Sequence, residues 1–212
     1  MKNEKGYLLV TMEPSATLEE EFNDWYDNEH VPERAGTKGF ETALRYVCIT
    51  GWPKYLAFYD LDNHEVLYDK GYLSISGNNF SPWSKRVLGK VRGQYRAEGK
   101  QIYPGNSLSS QCARLLLLRF KDVDSYKQKE VIQSSKQAFK KISGISNLRI
   151  FEFKKGEKQD LILLIESFET IDIKNIDYSK FATLGNHLDL INEYIPYWIR
   201  GKLPGVYDNT GH

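Results

Sequence analysis

The sequence predicts an α+β fold in which two tandem split βαβ units close into one intramolecular α+β barrel. Three observations predict it. Strand-like and helix-like periods alternate in the order β-α-β-β-α-β, and the same order restarts after a polar stretch at 106–111. Gly77-Asn78 and Arg92-Gly93 recur as Gly185-Asn186 and Arg200-Gly201, both at an offset of 108 residues. A sheet with helices on one face must cover the other, and two copies do so by closing on each other.

Each element has its own signal. Tyr7 to Met12 is a short apolar run of β type, ended by Pro14 and Ser15. Thr17 with Glu20 three residues on predicts a capping box. The helix that follows carries Leu18, Phe22, Trp25 and Glu29 on one face, and Pro32 ends or kinks it just after His30. Gly39 opens a second strand at Glu41 to Ile49, Gly51-Trp52-Pro53 makes a turn, and Tyr55 to Leu61 is the third strand. A helical or looped stretch at 63–72, a helix at Phe80 to Val91 and a strand at Arg92 to Tyr103 complete the first unit.

The second unit reads as strand Cys112 to Phe120, helix Asp124 to Ile142, and strands Asn147 to Phe153 and Asp160 to Phe168. A long helix at Tyr178 to Ile199 and a short strand near Leu203 to Tyr207 end it. The expected units are therefore 1–105 and 106–212. Along Tyr55 to Tyr59, alternation puts Tyr55, Ala57 and Tyr59 on one face and Leu56 and Phe58 on the other. A barrel of this size is either packed solid or holds one small ligand.

Composition narrows the function. Hydrophobic residues are 41% and charged ones 27%, which fits a globular chain, and 29 Lys+Arg against 28 Asp+Glu leave no basic excess for nucleic acid. The first six residues hold no apolar signal core, and the runs Leu115 to Leu118 and Leu161 to Ile165 are far too short to span a bilayer. Cys48 and Cys112 lack metal or redox spacing and read as buried thiols of a cytoplasmic protein. No HExxH, P-loop, GxGxxG or GxSxG string occurs, so neither a metal nor a nucleotide cofactor is expected. The surplus is aromatic, at 13%.

The segment Glu21-Phe22-Asn23-Asp24-Trp25-Tyr26-Asp27-Asn28-Glu29-His30-Val31-Pro32-Glu33-Arg34, then Gly39-Phe40 and Arg45-Tyr46, resembles the EthD-like branch of the dimeric α+β barrel superfamily. The resemblance covers roughly residues 7 to 61. It implies a ferredoxin-like unit, a cavity bordered by His30, and cofactor-free relatives that cyclise, decarboxylate, isomerise or oxygenate small molecules. This chain departs from the family by being tandem, and its second half lacks the Tyr-x-x-Glu-His string.

Read from chemistry alone, Glu29 on an apolar stripe must find a hydrogen-bonding partner or be protonated. His30, one turn from Tyr26, can act as acid or base near neutrality, or it can simply end a helix. The candidate catalytic residues are His30, Tyr26 and Glu29. Trp25, Arg45, Tyr46, Tyr59 and Trp83 are candidates for binding substrate, with Arg45 suited to a carboxylate or enolate oxygen. Two classes of function stand: a proton-transferring enzyme on an aromatic or keto compound, and a non-catalytic barrel that binds or senses an apolar metabolite. Haem held by a histidine is a third, implied by the resemblance, since other barrels of that superfamily bind it. The partner expected is a small molecule, with no nucleic acid and no membrane; a homodimer is left open.

Overall fold

Alternate side chains along each strand face two different cores, and this places every other element. The computed structural model describes residues 4–197, 201–203 and 207–208. Eight strands form a closed antiparallel barrel: β1 (Gly6–Glu13), β2 (Leu44–Thr50), β3 (Tyr55–Leu61), β4 (Arg92–Tyr103), β5 (Arg114–Asp124), β6 (Ile145–Lys155), β7 (Lys158–Ser167) and β8 (Leu188–Pro196). Their order round the barrel is β1-β3-β2-β8-β5-β7-β6-β4, with β4 pairing back onto β1. The first four strands run β4-β1-β3-β2 and the last four run β8-β5-β7-β6, so both halves share one topology. The fold is α+β, two ferredoxin-like units closing one barrel within a single chain.

Inside the barrel, Tyr7, Leu9, Leu56, Phe58, Leu117, Phe151, Ile162 and Tyr194 form one core. The opposite faces of the same strands carry Leu8, Met12, Tyr55, Ala57 and Tyr59, which meet the first-half helices. The alternation expected along Tyr55 to Tyr59 is therefore present. Those helices are α1 (Glu19–Trp25), a π-helical turn Tyr26–His30, α2 (Val31–Ala35), α3 (Lys70–Leu73) and α4 (Pro82–Leu88). In the second half, α5 (Gln128–Ala138) and the 3-10 segment Tyr178–His187 cover Leu116, Leu118, Leu163 and Ile165.

The polar stretch after β4 is fastened to the barrel. Ser109 N–H donates to Asp60 Oδ2 at 2.8 Å, and Ser110 Oγ donates to Glu166 Oε2 at 2.6 Å. Arg149 lies between these carboxylates, donating to Asp60 at 2.6 Å and to Glu166 at 2.7 Å. Burial opposes its charge, but the two carboxylates outweigh that and hold the guanidinium protonated. A buried cation and two buried anions thus join the first half, the connection and the second half.

Three expectations are corrected. The long helix over Tyr178 to Ile199 is a 3-10 segment followed by strand β8, with Trp198 and Ile199 outside the described residues. Leu190, Asn192 and Tyr194 alternate onto one face there, whereas the helical stripe combined residues of two elements. The 108-residue register consequently sets α4 against a strand; what repeats is the strand order. The capping box does not form: Thr17 lies in a 3-10 turn, α1 begins at Glu19, and no side chain caps it. At Pro32 the helix does not end: the π turn stops at His30 and helical geometry goes on as α2 to Ala35, with Val31 N–H bonded to Tyr26 C=O. The short strand near Leu203 is β9 (Lys202–Leu203), paired with β10 (Tyr207–Asp208); residues 204–206 between them lie outside the described residues.

Candidate functional site

The site starts from the π turn. A wider turn advances less than 100° per residue, so His30 swings back onto the inward face that a regular helix would give to Glu29. Tyr26 and His30 are both buried, their rings 5.2 Å apart edge to face, and Trp25 lies 4.2 Å from the imidazole. Next to them is a cavity of about 410 Å³ between the helical layer and the outer face of the first-half sheet. Its floor is Leu8, Val10 and Met12 of β1, Tyr59 of β3, and Gln94, Arg96 and Glu98 of β4. Its roof is His30 and Arg34 with Leu67, Tyr72 and Phe80. That volume suits one small ligand.

The polar groups along this wall are distinctive. His30 Nδ1 and Tyr59 Oη are buried without a hydrogen-bond partner among the described residues. Burial, with help from the Arg34 and Arg45 charges, pushes the imidazole well below its ordinary pKa of 6.5, so it is neutral at neutral pH. Burial raises the Tyr59 phenol and pushes Tyr26 up to about 12, so both keep their protons. Arg34 Nη1 donates to Glu33 at 2.7 Å and its Nη2 reaches Ile75 C=O at 3.3 Å. At the mouth, Arg96 pairs with Glu98, and Arg96 Nη2 donates to Tyr72 Oη at 3.3 Å.

The sequence-derived candidates divide. His30 and Tyr59 line the cavity, while Trp25 and Tyr26 stand behind His30 and fix its ring. Trp25 Nε1 donates to Ser84 Oγ at 3.0 Å, and Tyr26 Oη points to Met12 Sδ at 3.8 Å. Glu29 faces away from the cavity toward α4, accepting from Ser81 Oγ at 2.6 Å, Ser84 Oγ at 3.0 Å and Trp25 Nε1 at 3.2 Å. Arg45 is held by Asp27 at 2.9 Å and Asn23 at 2.7 Å, with Tyr26 and Tyr197 rings 4.2 and 4.3 Å from its guanidinium. Tyr46 belongs to the barrel interior, and Trp83 is half-buried on α4 against the helix-side core. Arg34, Tyr72, Phe80, Arg96 and Glu98 were missed. The alternation of Gln94, Arg96 and Glu98 on one face of β4 was a readable sign of a polar wall.

In sequence, no family model and no curated protein matches the chain. Solved structures do match in fold. An anthrone oxidase-like protein superposes with a TM-score of 0.65 at 10% identity, covering 96% of this chain and 94% of its own. A protein assigned as a monooxygenase from Lactobacillus acidophilus gives 0.55 at 8% identity, covering 92% and 94%. A haem-binding protein from Thermus thermophilus gives 0.53 at 8%, covering 91% of each. The chain shares their α+β barrel fold.

For haem, the histidine on the cavity wall is His30, whose ring packs against Trp25 and Tyr26 with Phe80 6.2 Å away. In the second half the helix–sheet layer is filled by Leu118, Val131, Leu163 and Phe181, and His187 Nδ1 lies 3.0 Å from Lys121 C=O near the surface. Among the described residues no cluster of His, Cys, Asp and Glu could hold a metal ion, and no helix is long and apolar enough to cross a membrane.

Proposed function

We propose that this chain is a small-molecule-binding barrel of the EthD-like kind, in which His30 accepts a proton from a flat aromatic or keto compound. The observation that carries this is a neutral, buried imidazole with an unpartnered nitrogen on the wall of a cavity of about 410 Å³. A buried polar atom left without a partner costs about 1–3 kcal/mol, which a ligand that bonds it would recover. A neutral imidazole can take a proton from an acidic O–H or activated C–H, and the anion formed would sit beside Tyr59 Oη, a donor with no other partner among the described residues. What the carbanion or phenolate does next sets the reaction, and oxygenation comes first because the neighbours are named anthrone oxidase-like and monooxygenase.

One observation favours a second reading. A depressed pKa makes His30 a weaker base, which suits a barrel that binds without turnover. Anthrone in D₂O separates the two. The enzyme reading expects wild type to accelerate exchange of its acidic C–H, or oxygen uptake, and His30→Gln to lose that acceleration while staying folded. Binding without exchange in wild type, or exchange that survives His30→Gln, would reject proton acceptance by His30.

A further inference from the structure

Arg34 is the largest charged group in the helical roof of the cavity, and proton acceptance by His30 makes no use of it. Its side chain is 2% exposed, so its charge has been taken almost wholly out of water. Its ion-pair partner, Glu33, has a side chain 30% exposed and does not line the cavity, so that pair is made on the outer side. Nη1 donates to Glu33 Oε2 at 2.7 Å and reaches His30 C=O at 3.5 Å, and Nη2 makes one long bond to Ile75 C=O at 3.3 Å. Among the described residues Nε makes no hydrogen bond. A guanidinium carries five donors in a planar fork, so Arg34 retains capacity for an acceptor arriving in the cavity.

The geometry around it is that of a small recognition site. Phe80 lies 5.8 Å from the Arg34 guanidinium and its ring is 6.2 Å from the His30 ring. Arg34 is one turn beyond His30, and both line the same cavity. Arg96, the other cation on the wall, is 40% exposed in its side chain and is neutralised by Glu98, which lines the cavity beside it. We infer that the ligand of this cavity carries an anionic oxygen group, such as a carboxylate, bound by Arg34, with its ring against Phe80 and its reacting end toward His30.

This rests on the cavity being the binding site. It also bears on the weakness of His30 as a base. Burial lowers the imidazole most and the Arg34 charge comes next, so an anion seated on Arg34 offsets the second of these causes when the ligand is bound.

The test uses a matched pair of probes, 2-naphthoate and 2-naphthamide, titrated calorimetrically into the full chain. The carboxylate should bind about tenfold more tightly or better, the scale of a charge-assisted hydrogen bond. Arg34→Gln should erase that preference and Arg96→Gln should retain it. If the amide binds as tightly as the carboxylate, the anionic-ligand inference is wrong and the cavity reading survives. If neither probe binds, both fail. A preference lost in Arg96→Gln and kept in Arg34→Gln assigns the anion to the mouth and overturns the role of Arg34. The wild-type comparison alone decides the first two outcomes, whether or not Arg34→Gln folds.

Discussion

Arg149 Nη1 lies 2.6 Å from Asp60 Oδ1, and the two residues come from opposite halves of the chain. Both side chains are 1% exposed, and Glu166 completes the cluster at 2.7 Å. Two carboxylates would remain buried and uncompensated if the guanidinium were removed. Arg149→Met should therefore cost about 3–5 kcal/mol. Urea unfolding of wild type and variant checks it, and a cost under about 1 kcal/mol, the level of a surface pair, would show that the cluster contributes little.

The depressed His30 pKa makes a signed prediction about acid stability. In the unfolded chain the imidazole takes its proton near 6.5, while burial, then Arg34 and Arg45, keep the folded one neutral to a lower pH. Between those two values the unfolded state binds more protons, so the stability present above the unfolded pKa is lost as pH falls toward the folded one. His30→Gln removes this source of acid sensitivity. Its melting temperature should fall less than that of wild type from about pH 7 to about pH 5. Equal losses in the two proteins would mean that His30 titrates normally.

Glu29 fastens α1 to α4 through Ser81, Ser84 and Trp25. Removing a charged acceptor from three donors should cost roughly 1.5–3 kcal/mol in Glu29→Ala. Because Glu29 does not line the cavity, ligand affinity at a temperature where the variant is folded should be unchanged. Loss of affinity without loss of stability would restore Glu29 to the site.

Burial pushes the Cys48 thiol up to about 11 and the Cys112 thiol up to about 12. A thiolate is the reactive form, so an aromatic disulfide reagent at about pH 8 should label the native protein slowly at both positions and the urea-unfolded protein quickly. Fast labelling of native Cys112 would show that the barrel end opens.

Much of this architecture is written in local signals. β3 and β4 are read to the residue because Gly51-Trp52-Pro53 and Pro104-Gly105 bound them and their side chains alternate. β8 was misread because Phe181, Leu184, Leu188 and Ile191 satisfy a helical spacing by accident across a 3-10 segment and a strand. Gly185-Asn186 and Pro196 were the contrary signs. His30 was readable from the Tyr-x-x-Glu-His string, yet its direction was not, since a π turn breaks the 100° projection that placed Glu29 inward. The same turn carries the helix past Pro32 and delivers Arg34 to the cavity. Arg45 and Tyr46 lie on a legible strand, but which face met the helices depended on a barrel closed by residues more than a hundred positions away.

The central claim is that the space beside His30 is a ligand site, and blocking that space tests it most directly. Val10 lies on its floor, opposite the helical roof, so Val10→Trp should fill it while His30, Tyr59 and Arg34 are kept as they are. Aromatic compounds found to bind wild type by ligand-observed NMR should lose binding in Val10→Trp, provided the variant melts cooperatively. Hits that bind Val10→Trp as well as wild type would place the ligand elsewhere and contradict the account.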